Sequence, residues 1–320
     1  MRVSLLGLVL FLSAGCVDAP DDDAPAASGD GKGDVWGADD RIERYQIESA
    51  PLQAAAAHSV ALTALDTLVH DAALDTWAAK EPRTLGAAFH LCEGERFAQQ
   101  PVISECSGTL VGDDLVLTAG HCFDSMTCDN LAITFDYAYL SRPTDLSSLA
   151  RGIPGADVYR CAEVIASEHA VDYETRRGAD FALIRLDRKV TGRTPAQVNW
   201  AAPVEAGRPA YVIGQPSGLP QKLSTGAILD GATNPDFLIH DADVFGGNSG
   251  GGMFDAAGQL IGIHVNSSAE RYTQTDDLCY VVAVCEDNAT CRYKPHAYKP
   301  SALAARLAPD VRALLGVPTN

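Results

Sequence analysis

The chain has 320 residues, 47% of them apolar, and a formal charge of −18. That length and apolar content suit one large globular domain or two small ones, and the acidity argues against a nucleic-acid partner, which would need clustered Lys and Arg. After the first fifteen residues no apolar run reaches about 18, so no membrane-spanning helix is expected.

The opening MRVSLLGLVLFLSAGCVDAP has a basic residue, a short apolar core and small residues before a break, which predicts a signal peptide over residues 1–15. Those small residues end at Cys16, an arrangement that resembles a bacterial lipoprotein signal, in which the cysteine is acylated after cleavage. Ser13 stands where such boxes usually carry Leu, and an ordinary secretory signal is the alternative. Residues 16–40 then read as a disordered acidic tether: Asp, Pro, Ala, Gly and Ser dominate, with no apolar period. Eight aspartates and one lysine fall in residues 17–40, and Arg2 in the leader, so residues 41–320 carry −12.

Residues 41–99 are expected to form an N-terminal segment packed on the folded domain downstream. Within them PLQAAAA, 51–57, predicts a short helix and SVALTAL a strand. From about 103 onward, short apolar runs alternate with turns: GTLVG, DLVLTAG, LAITFDY, DFALIRL, AYVIG, GQLIGIHV, YVVAVC. Runs of this length, bounded by Gly, Pro, Asp or Asn, are the mark of an all-β sandwich or barrel. At the end, SALAARLAPDVRALLG predicts one helix, capped by Ser301 and stopped at Gly316, with Leu303, Leu307, Val311, Leu314 and Leu315 on one face.

Nine cysteines would leave one thiol unpaired in an oxidising compartment. Setting Cys16 aside leaves Cys92, Cys106, Cys122, Cys128, Cys161, Cys279, Cys285 and Cys291, enough for four disulfides in an exported domain. No C-x-x-C pair or His/Cys zinc spacing occurs, so neither a metal nor another cofactor is expected.

Three strips carry candidate chemistry. LVLTAGHC presents His121 after a strand, Asp180 opens the strand in ADFALIRL, and Ser249 sits within FGGNSGG, where flanking glycines leave a hydroxyl unshielded. A serine alcohol needs an imidazole as general base, and the imidazole needs a carboxylate to fix its tautomer. Taken singly, each strip is an ordinary turn; it is their coincidence that points to nucleophilic catalysis.

TAGHC, DFALIRL and GGNSGG, in the order His, Asp, Ser, resemble the chymotrypsin-like serine peptidases, closest in texture to the bacterial secreted branch that includes the glutamyl endopeptidases. CSGTLVGDDLVLTAGHC resembles the strand pair before the histidine in that family. The resemblance implies an all-β fold of two six-stranded antiparallel β-barrels, residues 100–165 and 166–300, with 41–99 packed on the first and the C-terminal helix over 301–320. It implies a serine endopeptidase with His121 as base, Asp180 as its orienting partner and Ser249 as nucleophile, and an oxyanion hole from the N–H groups of Gly247 and Ser249. It also implies a Cys106–Cys122 disulfide. Cys128 with Cys161, and Cys92, Cys279, Cys285 and Cys291 in two more bridges, are expected beside it.

Ile263, His264, Val265 and Asn266 look like the edge strand on which substrate backbone pairs. Asp243, six residues before Ser249, occupies the place that selects Lys and Arg in trypsin-like pockets, whereas His264 matches the histidine of acid-selecting pockets; a mutual Asp243–His264 pair is a third alternative. Asn248 replaces the aspartate that pairs with a new amino terminus in trypsin-type activation, so that switch is not expected. Val265 stands where many animal relatives place a serine that bonds the triad carboxylate, so Asp180 needs another donor. The expected partner is a peptide or protein substrate met by an exported monomer, held at a membrane only through an acylated Cys16. A catalytically silent protease-fold binding protein is the competing reading.

Overall fold

The computed structural model describes residues 35–172, 175, 177–200, 204–267, 271–285 and 295–318. Twelve strands form its frame. Barrel one consists of β1 (Ser59–Ala64), β2 (Cys106–Gly112), β3 (Leu115–Thr118), β4 (Leu131–Phe135), β5 (Val158–Asp172) and β6 (Arg177–Leu186). They close in the order β4-β5-β6-β3-β2-β1, every neighbour antiparallel. Barrel two consists of β7 (Pro209–Gly214), β8 (Lys222–Asp230), β9 (Phe237–His240), β10 (Gly252–Phe254), β11 (Leu260–Asn266) and β12 (His296–Tyr298). Its order is β7-β10-β11-β12-β9-β8, and the pairing of β7 with β8 closes the ring. The expected pair of six-stranded antiparallel barrels is thus present.

Barrel one is not contained in 100–165. Its first strand comes from Ser59–Ala64 and its last from Arg177–Leu186, so the segment before residue 100 does more than pack on a finished barrel. β1 is buried over almost its whole length and pairs with both β2 and β4, which satisfies two sets of backbone groups that would otherwise be edges. Strands such as β3, β4 and β6 are apolar on both faces because their two sides meet barrel interior and neighbouring structure.

Helix α1 (Ala50–Ala56) matches the short helix expected there, with Pro51 in its first turn. Between β1 and β2 the chain builds a lobe. It holds a hairpin, Leu68–Asp71 with Thr76–Ala79, and a five-residue helix, Leu85–Phe89. Ahead of barrel one, Ile42–Glu43 adds to β8, and Val35–Trp36 runs parallel to Val284–Cys285, so residues 35–40 belong to the fold and not to the disordered tether expected over 16–40.

The C-terminus departs from expectation. It forms two helices, α2 (Pro300–Arg306) and α3 (Pro309–Leu314), with Lys299 rather than Ser301 at the first cap. Leu307 and Ala308 are extended because the ring of Pro309 disfavours helical geometry in the residue before it. Leu303, Leu307, Val311 and Leu315 are buried as the periodicity predicts, while Leu314 faces solvent. The Phe181 and Tyr298 rings stack at 5.8 Å where the two barrels meet. Among the described residues no helix is long and apolar enough to cross a membrane.

Candidate active site

β3 ends at Thr118 and runs into a 3-10 turn, Gly120–Asp124, that lifts His121 toward the groove between the barrels. β6 carries Asp180, whose side chain is 1% exposed. The glycine-rich turn before β10 carries Ser249. His121 Nδ1 lies 2.7 Å from Asp180 Oδ2, and His121 Nε2 lies 2.8 Å from Ser249 Oγ. Asp180 Oδ1 also accepts the backbone N–H of His121 at 3.0 Å. That bond supplies the donor that Val265 cannot. With Nδ1–H donating to the carboxylate, Nε2 is left as the acceptor for the serine hydroxyl.

Gly247 and Gly250 have φ of +100° and +81°, a region costly for residues with a Cβ. Space is also short: a Cβ on Gly247 would lie 2.4 Å from the Gln215 carbonyl oxygen, and one on Gly250 2.1 Å from Thr118 Oγ1. Asn248 is buried, and its Oδ1 accepts the N–H of Phe245 at 3.0 Å, tying the turn to itself. Among the described residues, the N–H groups of Gly247 and Ser249 donate to no protein acceptor.

Ser107 carries no motif in the sequence, yet it joins this turn to barrel one. Its Oγ donates to the Gly247 carbonyl at 2.6 Å and accepts from Gln215 N at 2.8 Å, while its N–H donates to the Ser249 carbonyl at 2.7 Å. The one signal that could have found it is a hydroxyl at a position predicted to be buried, directly after Cys106.

Across residues 106–263 the sequence matches the trypsin-like peptidase domain family. The chain carries a trypsin-like peptidase domain. It is 34% identical over 95 residues to the chloroplastic Protease Do-like 1 of Arabidopsis thaliana, covering 27% of this chain and 22% of that protein. It is 33% identical over 85 residues to a probable serine protease of Lysobacter enzymogenes, covering 27% and 13%. The chain therefore spans less than a quarter of each of these curated relatives. Among solved structures, the serine endoprotease from Yersinia pestis overlays with a TM-score of 0.44 and 17% identity, over 85% of this chain and 68% of that one. That overlay is too loose to assign residue roles. These relatives do not single out the glutamyl endopeptidase branch.

Within the peptidase domain the specificity candidates separate. Asp243 is buried, and its two oxygens accept the N–H groups of Trp36 at 2.7 Å and Asp40 at 3.0 Å. Burial, then the charge of Asp40, pushes its carboxyl well above the usual range. His264 is also buried, but its Nδ1 faces His240 Nε2 at 3.4 Å. Each residue is thus engaged elsewhere, and the Asp243–His264 pair is not formed. Burial, with the charges of His121 and His296, pushes His264 down to about 3, so its ring is neutral at neutral pH.

β11 is not an edge along its whole length. Ile263 pairs with both Gly252 and Tyr298, and the His264 N–H and C=O bond Gly251 and Gly250. Past that point the β10 pairing ends, while Asn266 still pairs with His296 on the other side. An open edge is therefore confined to Val265 and Asn266.

Cys106–Cys122 and Cys128–Cys161 are bridged as expected, and Cys92 pairs with Cys279. Cys285 is also disulfide-bonded. Cys106, His121 and Cys122 lie close enough to hold a metal, but both sulfurs are consumed by the disulfide. Cys16, the predicted lipidation site, and Cys291 fall outside the described residues.

Proposed function

We propose that this protein is a serine endopeptidase working through an acyl-enzyme, with Ser249 as nucleophile, His121 as general base and Asp180 as its orienting partner. The carrying observation is the unbroken chain of short contacts from Asp180 through His121 to Ser249. Ser249 Oγ attacks the scissile carbonyl and its proton passes to His121 Nε2. The unengaged N–H groups of Gly247 and Ser249 face the developing oxyanion, a type of donor worth about 3–4 kcal/mol each in serine peptidases. His121 then protonates the departing amine, water attacks the ester through the same imidazole, and the acid is released. Asp180 is buried and doubly bonded to His121, so the imidazolium forms beside a fixed negative charge.

Substrate backbone is read as pairing with Val265 and Asn266. Since the Asp243 carboxylate is committed to Trp36 and Asp40, a lysine or arginine before the scissile bond is disfavoured. An acidic or small polar residue there suits the neutral imidazole of His264, which can donate a hydrogen bond. The disulfides fit an exported protein. Acylation of Cys16, with residues 17–34 as spacer, is the anchoring we propose; detergent-phase partitioning that persists in Cys16→Ala would refute it.

Fluorophosphonate labelling, mapped by mass spectrometry, together with cleavage of a mixed peptide library, tests the catalytic reading. Labelling at Ser249, and a loss of about 10⁶-fold in kcat for Ser249→Ala, are expected. Folded protein that neither labels nor cleaves would be the silent, peptide-binding relative instead.

A further inference from the structure

Beside the nucleophile turn lies a cavity of about 530 Å³ at the junction of the inserted lobe with both barrels. Phe89, Val102 and Ile103 give it apolar walls, and Asp66, Glu81 and Glu105 bring three carboxylates to it. Lys80 also lines it, but its ammonium donates to the Asp66 carbonyl at 2.6 Å, so among the lining residues one cation stands with three anions, of which Glu81 also faces Arg83 at 3.9 Å.

Two relationships bring the cavity close to Ser249 and His121. Ser217, part of its lining, donates its backbone N–H to the Gly246 carbonyl at 2.6 Å, directly before Gly247. Glu105, on another wall, immediately precedes Cys106, which is bridged to Cys122 next to His121. The cavity thus flanks the site on the side of the Cys106–Cys122 bridge and Ser217, away from the Val265–Asn266 edge on which the substrate backbone is read as pairing.

The walls are held from both sides. The Phe89 ring packs 4.9 Å from Tyr272, whose hydroxyl meets Ser217 Oγ at 2.8 Å. Ile103 N–H donates to the Gly218 carbonyl at 3.0 Å, and the Cys92–Cys279 bridge fastens the lobe to barrel two.

We propose that this cavity binds a lysine or arginine side chain from the first three residues after the scissile bond, an assignment that rests on the peptidase reading. Such side chains combine a long aliphatic stem with a cationic head. The stem suits Phe89, Val102 and Ile103, and the head suits the carboxylates and the Phe89 ring face.

The test uses quenched peptides with one library-selected sequence up to the scissile bond and Arg, Leu or Glu at each of the three positions after it. At one position kcat/KM is expected to be about tenfold higher for Arg than for Glu, and this ratio should shrink in 1 M salt, where screening acts over about 3 Å. Glu81 and Glu105 are exposed, so E81Q/E105Q should fold. It is expected to bring the ratio near one while leaving Leu-peptide cleavage and Ser249 labelling intact. Phe89→Ala should weaken Arg and Leu peptides together. Cleavage indifferent to the residues after the bond, or a preference unchanged by E81Q/E105Q, overturns the cavity assignment alone. Loss of both cleavage and labelling in wild type overturns the peptidase reading and the cavity assignment with it.

Discussion

The carboxylate of Asp243 accepts the backbone N–H of Trp36 at 2.7 Å, across 207 positions of sequence. A residue placed where trypsin-like pockets hold a charge for the substrate here holds the protein's own N-terminal segment. Replacing it with Ala leaves the Trp36 and Asp40 amides without this partner. A loss of roughly 1–3 kcal/mol is expected, read from the urea midpoint. Hydrogen exchange at those two amides should accelerate with it. Unchanged exchange would mean that other contacts hold the segment.

Arg41 is the basic residue nearest the site where a trypsin-type switch would be cut. Its side chain is fully buried, ion-paired to Asp39 at 2.7 Å and 4.1 Å above the Phe245 ring, while Ile42 pairs with Leu223. Native protein treated with trypsin is therefore expected to stay intact between Arg41 and Ile42, with no gain in activity. Activity that appears only after cleavage there would show an amine-dependent switch despite Asn248.

Acid should destabilise the fold through its buried histidines. Burial, with the charges of His264 and His296, pushes His240 well below the ordinary imidazole value, and His264 falls from 6.5 to about 3. Below pH 6.5 the unfolded chain thus binds protons that the folded chain refuses. The stabilisation is fully present above that value and is lost as pH falls toward 3, by about 1.4 kcal/mol per pH unit for each group. His240→Asn keeps an acceptor for the Ala242 N–H, which now bonds His240 Nδ1 at 3.2 Å. Its Tm is expected to fall less steeply than wild type between pH 6.5 and 4; parallel curves would contradict this.

The disulfides should separate in their effects. Cys106–Cys122 closes a short loop beside His121, and its removal is expected to cost about 3 kcal/mol and to lower kcat. Cys92–Cys279 joins positions 187 apart and braces the lobe. Losing it should cost about 2–5 kcal/mol and speed hydrogen exchange over 85–91, with Ser249 labelling retained. Denaturant midpoints and labelling rates of the two Cys→Ala pairs make the comparison.

The sequence by itself determined the β texture and the strips TAGHC, DFALIRL and GGNSGG in their order along the chain. These are short-range features: alternating apolar runs, and glycines at 247 and 250, where the turn around Ser249 has positive φ. The break at Pro309 is the exception, since the leucine periodicity spoke for one helix and outweighed the local restraint a proline puts on its predecessor. Only the tertiary structure decided that Ser59–Ala64 closes barrel one, that Ser107 ties the nucleophile turn across the groove, and that Asp243 and His264 turn to different partners. Residue type announces that a buried polar atom needs a hydrogen bond. Which atom answers is set by sheet register between strands far apart in the chain, and a local pattern carries no record of that register.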